Sequence, residues 1–283
     1  MRIGYNREKT DEYSKRFGVI ILAAGLSSRM QAFKPLLPVD GRPAIEGLLE
    51  TAKAAGLSDI TVVTGYNRER LQPVLARHGV AEAFNEGYES GMFSSIKAGL
   101  AKASQTVAAE NTIKDGYLLL PVDCPLISVS VLRAVMDAVL AAPDKNGGDA
   151  FAVAVFEGKK GHPLYIPPKR IEEILQSDGS GGLAAITDKY ADSMIRVETG
   201  EEGCLLDMDT PEGYEDIKRF VAKGFAREKL ELLTARKRII LVRHGETRQH
   251  DEPMFIGQYD VPLSEEGCAQ AQAAGQEIVK LMA

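Results

Sequence analysis

Apolar positions in this chain follow two rhythms that take turns. "GVIILAAG" (18–25) holds an unbroken apolar run with no polar alternation, "DGYLLLPVDCP" (115–125) is more hydrophobic still, and "DITVVTGY" (59–66) reads as a second buried strand. Such runs predict strands buried on both faces, as in a parallel sheet covered by helices. Between them the apolar spacing is helical. "PAIEGLLETAKAAG" (43–56) closes on a glycine, a helix follows near 68–78, and "SSIKAGLAKASQT" (94–106) comes after the loop "NEGYESGMF". With a short strand near 81–84, the succession of strand, helix and strand has βαβ spacing.

The alternation continues with a helix over "SVSVLRAVMDAVLAA" (128–142), a strand over "DAFAVAVF" (149–156) and short helices at 169–175 and 183–190. "MIRVET" and "CLLDMDT" read as further strand material. "PEGYEDIKRFVAKG" (211–224) reads as a helix opened by proline and closed by glycine. The predicted fold class is α/β, a doubly wound, mostly parallel sheet over residues 17–223. Residues 1–16 are polar and read as a frayed N-terminal extension. The charged, helical "FAREKLELLTARKR" marks a linker, 224–237. Over 238–283 the pattern restarts with strand "RIILV", a polar loop and a helix (264–282), with Ser264 as N-cap and two glutamates in the first turn. The expectation is the strand-loop-helix start of a second α/β domain.

Composition narrows the partners. An apolar content of 45% over 283 residues is enough for a large core. A net charge of −6 argues against broad capture of nucleic acid or anionic membrane. Cys124, Cys204 and Cys268 are far apart and form no CxxC pair, as in a reducing compartment. The charged start has no apolar signal region, and no apolar run approaches the roughly 20 residues needed to span a bilayer. A soluble, cytoplasmic protein is expected.

The end of the first strand carries the first candidate chemistry. Gly25 permits a tight turn and close approach of backbone N–H groups to a phosphate or base. Ser27 and Ser28 add hydroxyls, Arg29 can grip phosphate bidentately, and Lys34 supplies a point charge. Each alone could be a solvated turn residue; as an ordered set they make a triphosphate cradle. The stretch is neither GxxxxGK[ST] nor GxGxxG.

"LAAGLSSRM" followed by "KPLLP" resembles the signature of the MobA-like nucleotidyltransferases. Its LAAG form is closer to the cytidylyltransferases of molybdenum cofactor synthesis than to the guanylyltransferases. Four later segments resemble that family in order: "NEGYESGMFSSIKAGL" (85–100) near the base, "PVDCPLI" (121–127) as the metal-binding Asp motif, "GKKGHPLYIP" (158–167), and "DMDTPEGYE" (207–215). Two positions depart from the pattern. Gln31 stands where the family has glycine, and "SDGSGGLAAI" (177–186) lacks an arginine often found there.

The resemblance implies a nucleotide-diphospho-sugar transferase-like, Rossmann-type fold. It implies a nucleotide site of Leu22, Ala23, Ala24, Gly25, Ser27, Ser28, Arg29, Lys34, Asn85, Gly91, Ser94 and Ser95, with Arg29, Lys34 and Asp123 catalytic. The implied reaction is Mg²⁺-dependent transfer of a nucleoside monophosphate, CMP from CTP, to molybdopterin, with a molybdenum enzyme as a further partner. Mg²⁺ takes oxygen ligands, often one or two carboxylates plus substrate phosphates. Asp123 is the first candidate ligand, or else hydrogen-bonds the turn before Pro125. Asp209 or Asp207 is the second; alternation along a strand would point both to one face, and either could instead cap the helix starting at Pro211. His162 lines the acceptor pocket by resemblance, or is a structural loop histidine. Alternative readings are another acceptor, cobinamide phosphate or a sugar phosphate, and a non-catalytic module that delivers nucleotide or cofactor.

"LVRHGET" (241–247) with "FIGQYDVPLSEEGCAQAQAAG" (255–275) resembles the opening of the histidine phosphatase superfamily. By that resemblance His244 would be the phosphorylated nucleophile and Arg243 a phosphate clamp. The second histidine, second arginine and acid of that superfamily do not follow within these 283 residues, so this unit is expected to be an inactive fragment.

Overall fold

The computed structural model describes residues 7–30, 32–110, 114–142, 149–234 and 264–282. The chain divides into two compact units, 1–224 and 225–283. In the first, β1 (Phe17–Leu22), β4 (Ile60–Thr64) and β6 (Gly116–Pro121) lie side by side inside a seven-stranded sheet, and β5 (Ala81–Phe84) is an edge strand. β2 (Pro38–Val39) and β3 (Arg42–Pro43) make a separate small ribbon. With β7 (Ala152–Phe156), β8 (Lys159–Ile166) and β9 (Ile195–Glu198), the strand order is β5-β4-β1-β6-β8-β7-β9. β1, β4, β5 and β6 pair in parallel, as does β7 with β9; β8 alone runs against its neighbours.

Helices cover both faces, which is why β1, β4 and β6 are buried at every position. Strand side chains such as Val19, Ile21, Val62 and Leu118 pack with α2 (Ala44–Ala55), α3 (Arg68–His78) and α5 (Val129–Ala141). Ile20, Leu22, Val63 and Leu119 point the other way, onto α4 (Met92–Glu110), α6 (Pro168–Gln176) and α7 (Gly182–Thr187). Ser128 caps α5, its hydroxyl accepting the Val131 N–H at 3.2 Å.

Three expectations are corrected. Residues 7–16 are not frayed: they form helix α1 (Arg7–Arg16), whose Tyr13 is buried in the core and donates to Asp137 Oδ1 at 2.7 Å. "CLLDMDT" is not a strand; it runs from a short 3₁₀ turn (Glu202–Cys204) through irregular backbone, with Cys204 and Met208 buried in different apolar clusters. α8 (Pro211–Thr234) does not stop at Gly224 but continues into the predicted linker.

In the second unit, α9 (Glu265–Met282) is capped as expected, with Ser264 Oγ accepting the Gly267 N–H at 2.9 Å. Strand "RIILV", Arg243 and His244 lie outside the described residues, as does Gln31. Among the described residues no helix is long and apolar enough to cross a membrane.

Candidate active site

Adjacent parallel strands set the site. β1 and β6 are in register to their ends, Leu22 opposite Pro121, so the two loops that follow leave the sheet side by side. Val122 N donates to Leu22 O at 3.0 Å, carrying this alignment one residue further and presenting Asp123 beside the first loop. In doubly wound sheets the ligand crevice lies at this carboxyl edge.

The first loop folds back on itself. Ser27 has a left-handed backbone (φ 53°), and Met30 N donates to Ser27 O at 3.1 Å. Ser27 Oγ accepts the Lys34 N–H at 3.4 Å, linking the turn to the 3₁₀ segment Lys34–Leu36. Around it lies a cleft of about 230 Å³ lined by Leu22, Ala23, Ala24, Gly25, Ser27 and Lys34, with Gly91, Ser95 and Asp123 across from them. Ser28 and Arg29 are exposed on the turn and do not line this cleft.

Four charged groups converge at one end. Lys34, its side chain only 11% exposed, places Nζ 2.6 Å from Asp209 Oδ1 and 3.7 Å from Asp123 Oδ2. Arg29 Nη2 donates to Asp209 Oδ2 at 2.7 Å. Burial pushes the Asp123 carboxyl above the usual carboxylate range; Lys34 opposes this and neighbouring Asp209 adds to it. The Lys34 hydrogen bond holds Asp209 below that range.

The alternatives left by the chain pattern separate here. Thr210, not an aspartate, caps α8: its hydroxyl accepts the Gly213 N–H at 3.2 Å. Asp209 thereby keeps both oxygens for the cations. Asp207 Oδ1 accepts the Asp209 N–H at 3.0 Å, a local turn that aims Asp209 without strand alternation. Asp123 holds the chain through its backbone, its carbonyl accepting the Met208 N–H at 2.9 Å, while its carboxylate faces Lys34.

Asp123 and Asp209 therefore offer hard oxygen donors to one cation position, a donor set that suits a divalent ion completed by phosphate oxygens. The raised carboxyl of Asp123 marks charge that a further cation would relieve. Among the described residues no group of three or more His, Cys, Asp or Glu side chains is arranged to hold a metal alone.

Asn85, buried after β5, turns inward rather than to the cleft. Its amide donates to Ser94 Oγ at 2.9 Å and Ser95 Oγ at 3.0 Å, and its Oδ1 accepts the Gly87 N–H at 3.0 Å. His162, on β8, does not line the cleft; its Nδ1 is buried with no hydrogen-bond partner among the described residues. Burial lowers its pKa to about 4, with Asp207 opposing. Gly161 beside it leaves no room for a side chain, since a Cβ there would collide with the Cys204 carbonyl.

Sequence reasoning missed Tyr88, Glu89 and Met92, which line the cleft from inside the quoted loop 85–93. It also missed Gly65. A Cβ there would stand 2.7 Å from Tyr88 Cβ and 2.8 Å from the Ala24 carbonyl, so only glycine lets Tyr88 close on the end of β1. The signal available was a glycine directly after a buried strand.

The MobA-like NTP transferase domain family matches residues 19–194, and the chain belongs to that family of nucleotidyltransferases. Residues 239–282 match the histidine phosphatase superfamily (branch 1). The chain is 28% identical to the purine catabolism protein PucB of Bacillus subtilis, covering 71% of this chain and 95% of PucB. It is 26% identical to the molybdenum cofactor cytidylyltransferase of Escherichia coli, over 70% of this chain and 94% of that protein. Rv0371c of Mycobacterium tuberculosis shares the fold, with a TM-score of 0.58, 21% identity, and 73% of this chain and 99% of that one covered. A crystal structure of Rv0371c contains manganese.

Proposed function

We propose that this protein is a Mg²⁺-dependent cytidylyltransferase that moves CMP from CTP onto the phosphate of a molybdopterin-type acceptor and releases pyrophosphate. The observation that carries the reading is the convergence of Lys34 with Asp123 and Asp209, at 3.7 and 2.6 Å, where β1 and β6 end. Similarity over 94% of the E. coli molybdenum cofactor cytidylyltransferase supports this acceptor.

An acceptor phosphate oxygen attacks the α-phosphorus, the bond from that phosphorus to the β-phosphate oxygen breaks, and pyrophosphate leaves. Negative charge grows on the leaving group, so catalysis rests on positioning and on fixed cations. Lys34, buried and anchored beside the cleft, is one such cation, and Arg29 is the other, able to pivot from Asp209 to phosphate. The Gly25 turn lets backbone N–H groups approach the phosphates. Asp123 and Asp209 would hold Mg²⁺, which when bound supplies further neutralisation of phosphate charge.

The test is pyrophosphate release with CTP, ATP and GTP, each with and without molybdopterin and Mg²⁺. Turnover is expected with CTP and molybdopterin together. Metal-dependent nucleotide binding without turnover, and indifference to Asp123→Ala, would overturn the enzymatic reading.

A further inference from the structure

Two loops of the cleft meet on one side chain. Tyr66, in the turn after β4, packs edge-on against Phe33, with ring centroids 6.3 Å apart and planes at 72°, and lies tilted against Tyr88 at 6.5 Å and 50°. Phe33 directly precedes Lys34, and its carbonyl accepts the Leu36 N–H at 3.1 Å, so its ring is tied to the 3₁₀ segment that carries the cation. Arg70 of α3 holds the same ring, its guanidinium carbon 5.2 Å from the centroid. Tyr88 lines the cleft and opens a 3₁₀ turn, Tyr88–Ser90, in which no residue is buried.

Tyr66 is anchored through its backbone and open at its ring. Its N–H donates to the Ala24 carbonyl at 3.2 Å, which fixes it to cleft-lining backbone just beyond β1. The residue is 37% exposed, and its hydroxyl has no hydrogen-bond partner among the described residues. Its ring therefore acts as a contact between two loops more than as filling for the core. Through it, the segment bearing Lys34 and the exposed turn at Tyr88 rest on a common support.

We infer that Tyr66 is a positioning residue that couples the polyphosphate end of the cleft to its nucleoside end, so that the two parts of a nucleotide bind cooperatively even when they are not joined. The inference rests on the cleft being a nucleoside triphosphate site and adds to it an energetic link between its halves. A polyphosphate on Lys34 orders the Phe33 segment against Tyr66. Tyr88 then packs on a support already set, so a nucleoside meets a turn that needs less ordering. Linkage makes the effect reciprocal: the nucleoside must tighten polyphosphate by the same factor.

The experiment titrates cytidine, uridine, adenosine and guanosine into the full chain with Mg²⁺, with and without saturating inorganic tripolyphosphate, in wild type, Tyr66→Phe, Tyr66→Ala and Phe33→Leu. In wild type, tripolyphosphate should tighten the preferred nucleoside by about tenfold. Tyr66→Phe keeps the ring and should keep that factor, because the hydroxyl has no protein partner. Tyr66→Ala should bring the factor to about one, while tripolyphosphate alone binds within about threefold of wild type. Phe33→Leu removes one ring of the chain without touching the cleft lining and should lower the factor too; it decides the matter where Tyr66→Ala does not fold. A merely structural role would weaken both ligands together and leave their ratio unchanged, and that result overturns the inference. So does a wild-type protein that binds nucleoside and tripolyphosphate independently. A wild-type protein that binds neither refutes the nucleotide site itself, an outcome distinct from the others.

Discussion

Lys34 and Asp209, 175 residues apart in the chain, share a 2.6 Å hydrogen bond that ties the turn after β1 to the segment ahead of α8. Arg29 holds the other oxygen of the same carboxylate at 2.7 Å. Asp209 is thus neutralised twice, while Asp123 is left more deeply buried with Lys34 at 3.7 Å. The surroundings therefore push the two carboxyls in opposite directions, Asp123 upward through burial and Asp209 downward through its Lys34 hydrogen bond.

Asp123→Asn removes a buried charge while keeping shape. The fold without metal should melt at an equal or higher temperature than wild type, because burial already disfavours this carboxylate. Nucleotidyl transfer should fall by about 10²-fold or more. Paired thermal melts in chelator and pyrophosphate-release rates check this; a variant that is both destabilised and fully active would contradict it.

Lys34→Met leaves Asp123 and Asp209 facing each other without their shared cation. A loss of about 2–4 kcal/mol is expected in urea unfolding. Added Mg²⁺ or Mn²⁺ should restore part of it by occupying the same position between the carboxylates. If divalent ions move the midpoint no more than Na⁺ at equal ionic strength, these carboxylates do not form a metal site.

His162 makes stability depend on pH in a definite direction. Its pKa is 6.5 in an open chain and about 4 in the fold, so between those values the unfolded state binds a proton that the folded state refuses. The stability present above pH 6.5 is therefore lost as pH falls toward 4, by on the order of 3 kcal/mol at about 1.4 kcal/mol per pH unit. His162→Leu removes the titrating group and the unpaired Nδ1 together. Its urea midpoint should decline less than that of wild type over this window, and parallel curves would refute the assignment.

Gly65→Ala places a methyl group against Tyr88 and the Ala24 carbonyl. About 1–3 kcal/mol of stability should be lost. Nucleotide affinity should drop with it, because Ala24 and Tyr88 both line the cleft. Calorimetric titration beside a melt separates this from Gly47→Ala, where a Cβ has only Arg42 Cδ nearby, at 3.9 Å, and binding should not change.

Tyr13 tests whether residues 7–16 belong to the folded unit. Tyr13→Ala should cost about 3–5 kcal/mol by emptying a fully packed site. Tyr13→Phe should cost about 1 kcal/mol, the hydroxyl bond to Asp137 alone. Equal, negligible losses would mean that the helix does not contribute to folding.

Much of the fold was legible. β1, β4 and β6 are buried at every position because helices cover both of their faces, and the unbroken apolar runs of β1 and β6 are visible without coordinates. α1 was not legible: "REKTDEYSKR" commits one aromatic side chain to the core, too little for periodicity to register. "CLLDMDT" misled for the converse reason. Its apolar residues are buried, but Cys204 and Met208 reach different clusters from irregular backbone, which mimics a strand in the one-dimensional record. The reversal of β8 left no trace either, since burial pattern does not encode strand direction.

For the site, the chain by itself determined which residue types stand at strand ends: glycine, hydroxyls and cations after β1, and an aspartate after β6. These follow from local pattern, because a buried strand must end where polar residues begin. Only the tertiary structure decided that Asp209 rather than Asp207 faces Lys34, that Thr210 takes the capping role, and that the Asn85 amide donates to Ser94 and Ser95 instead of lining the cleft. Those choices depend on distances between segments far apart in sequence and on which hydrogen-bond partner reaches each group first. Spacing along the chain carries neither quantity; packing supplies both.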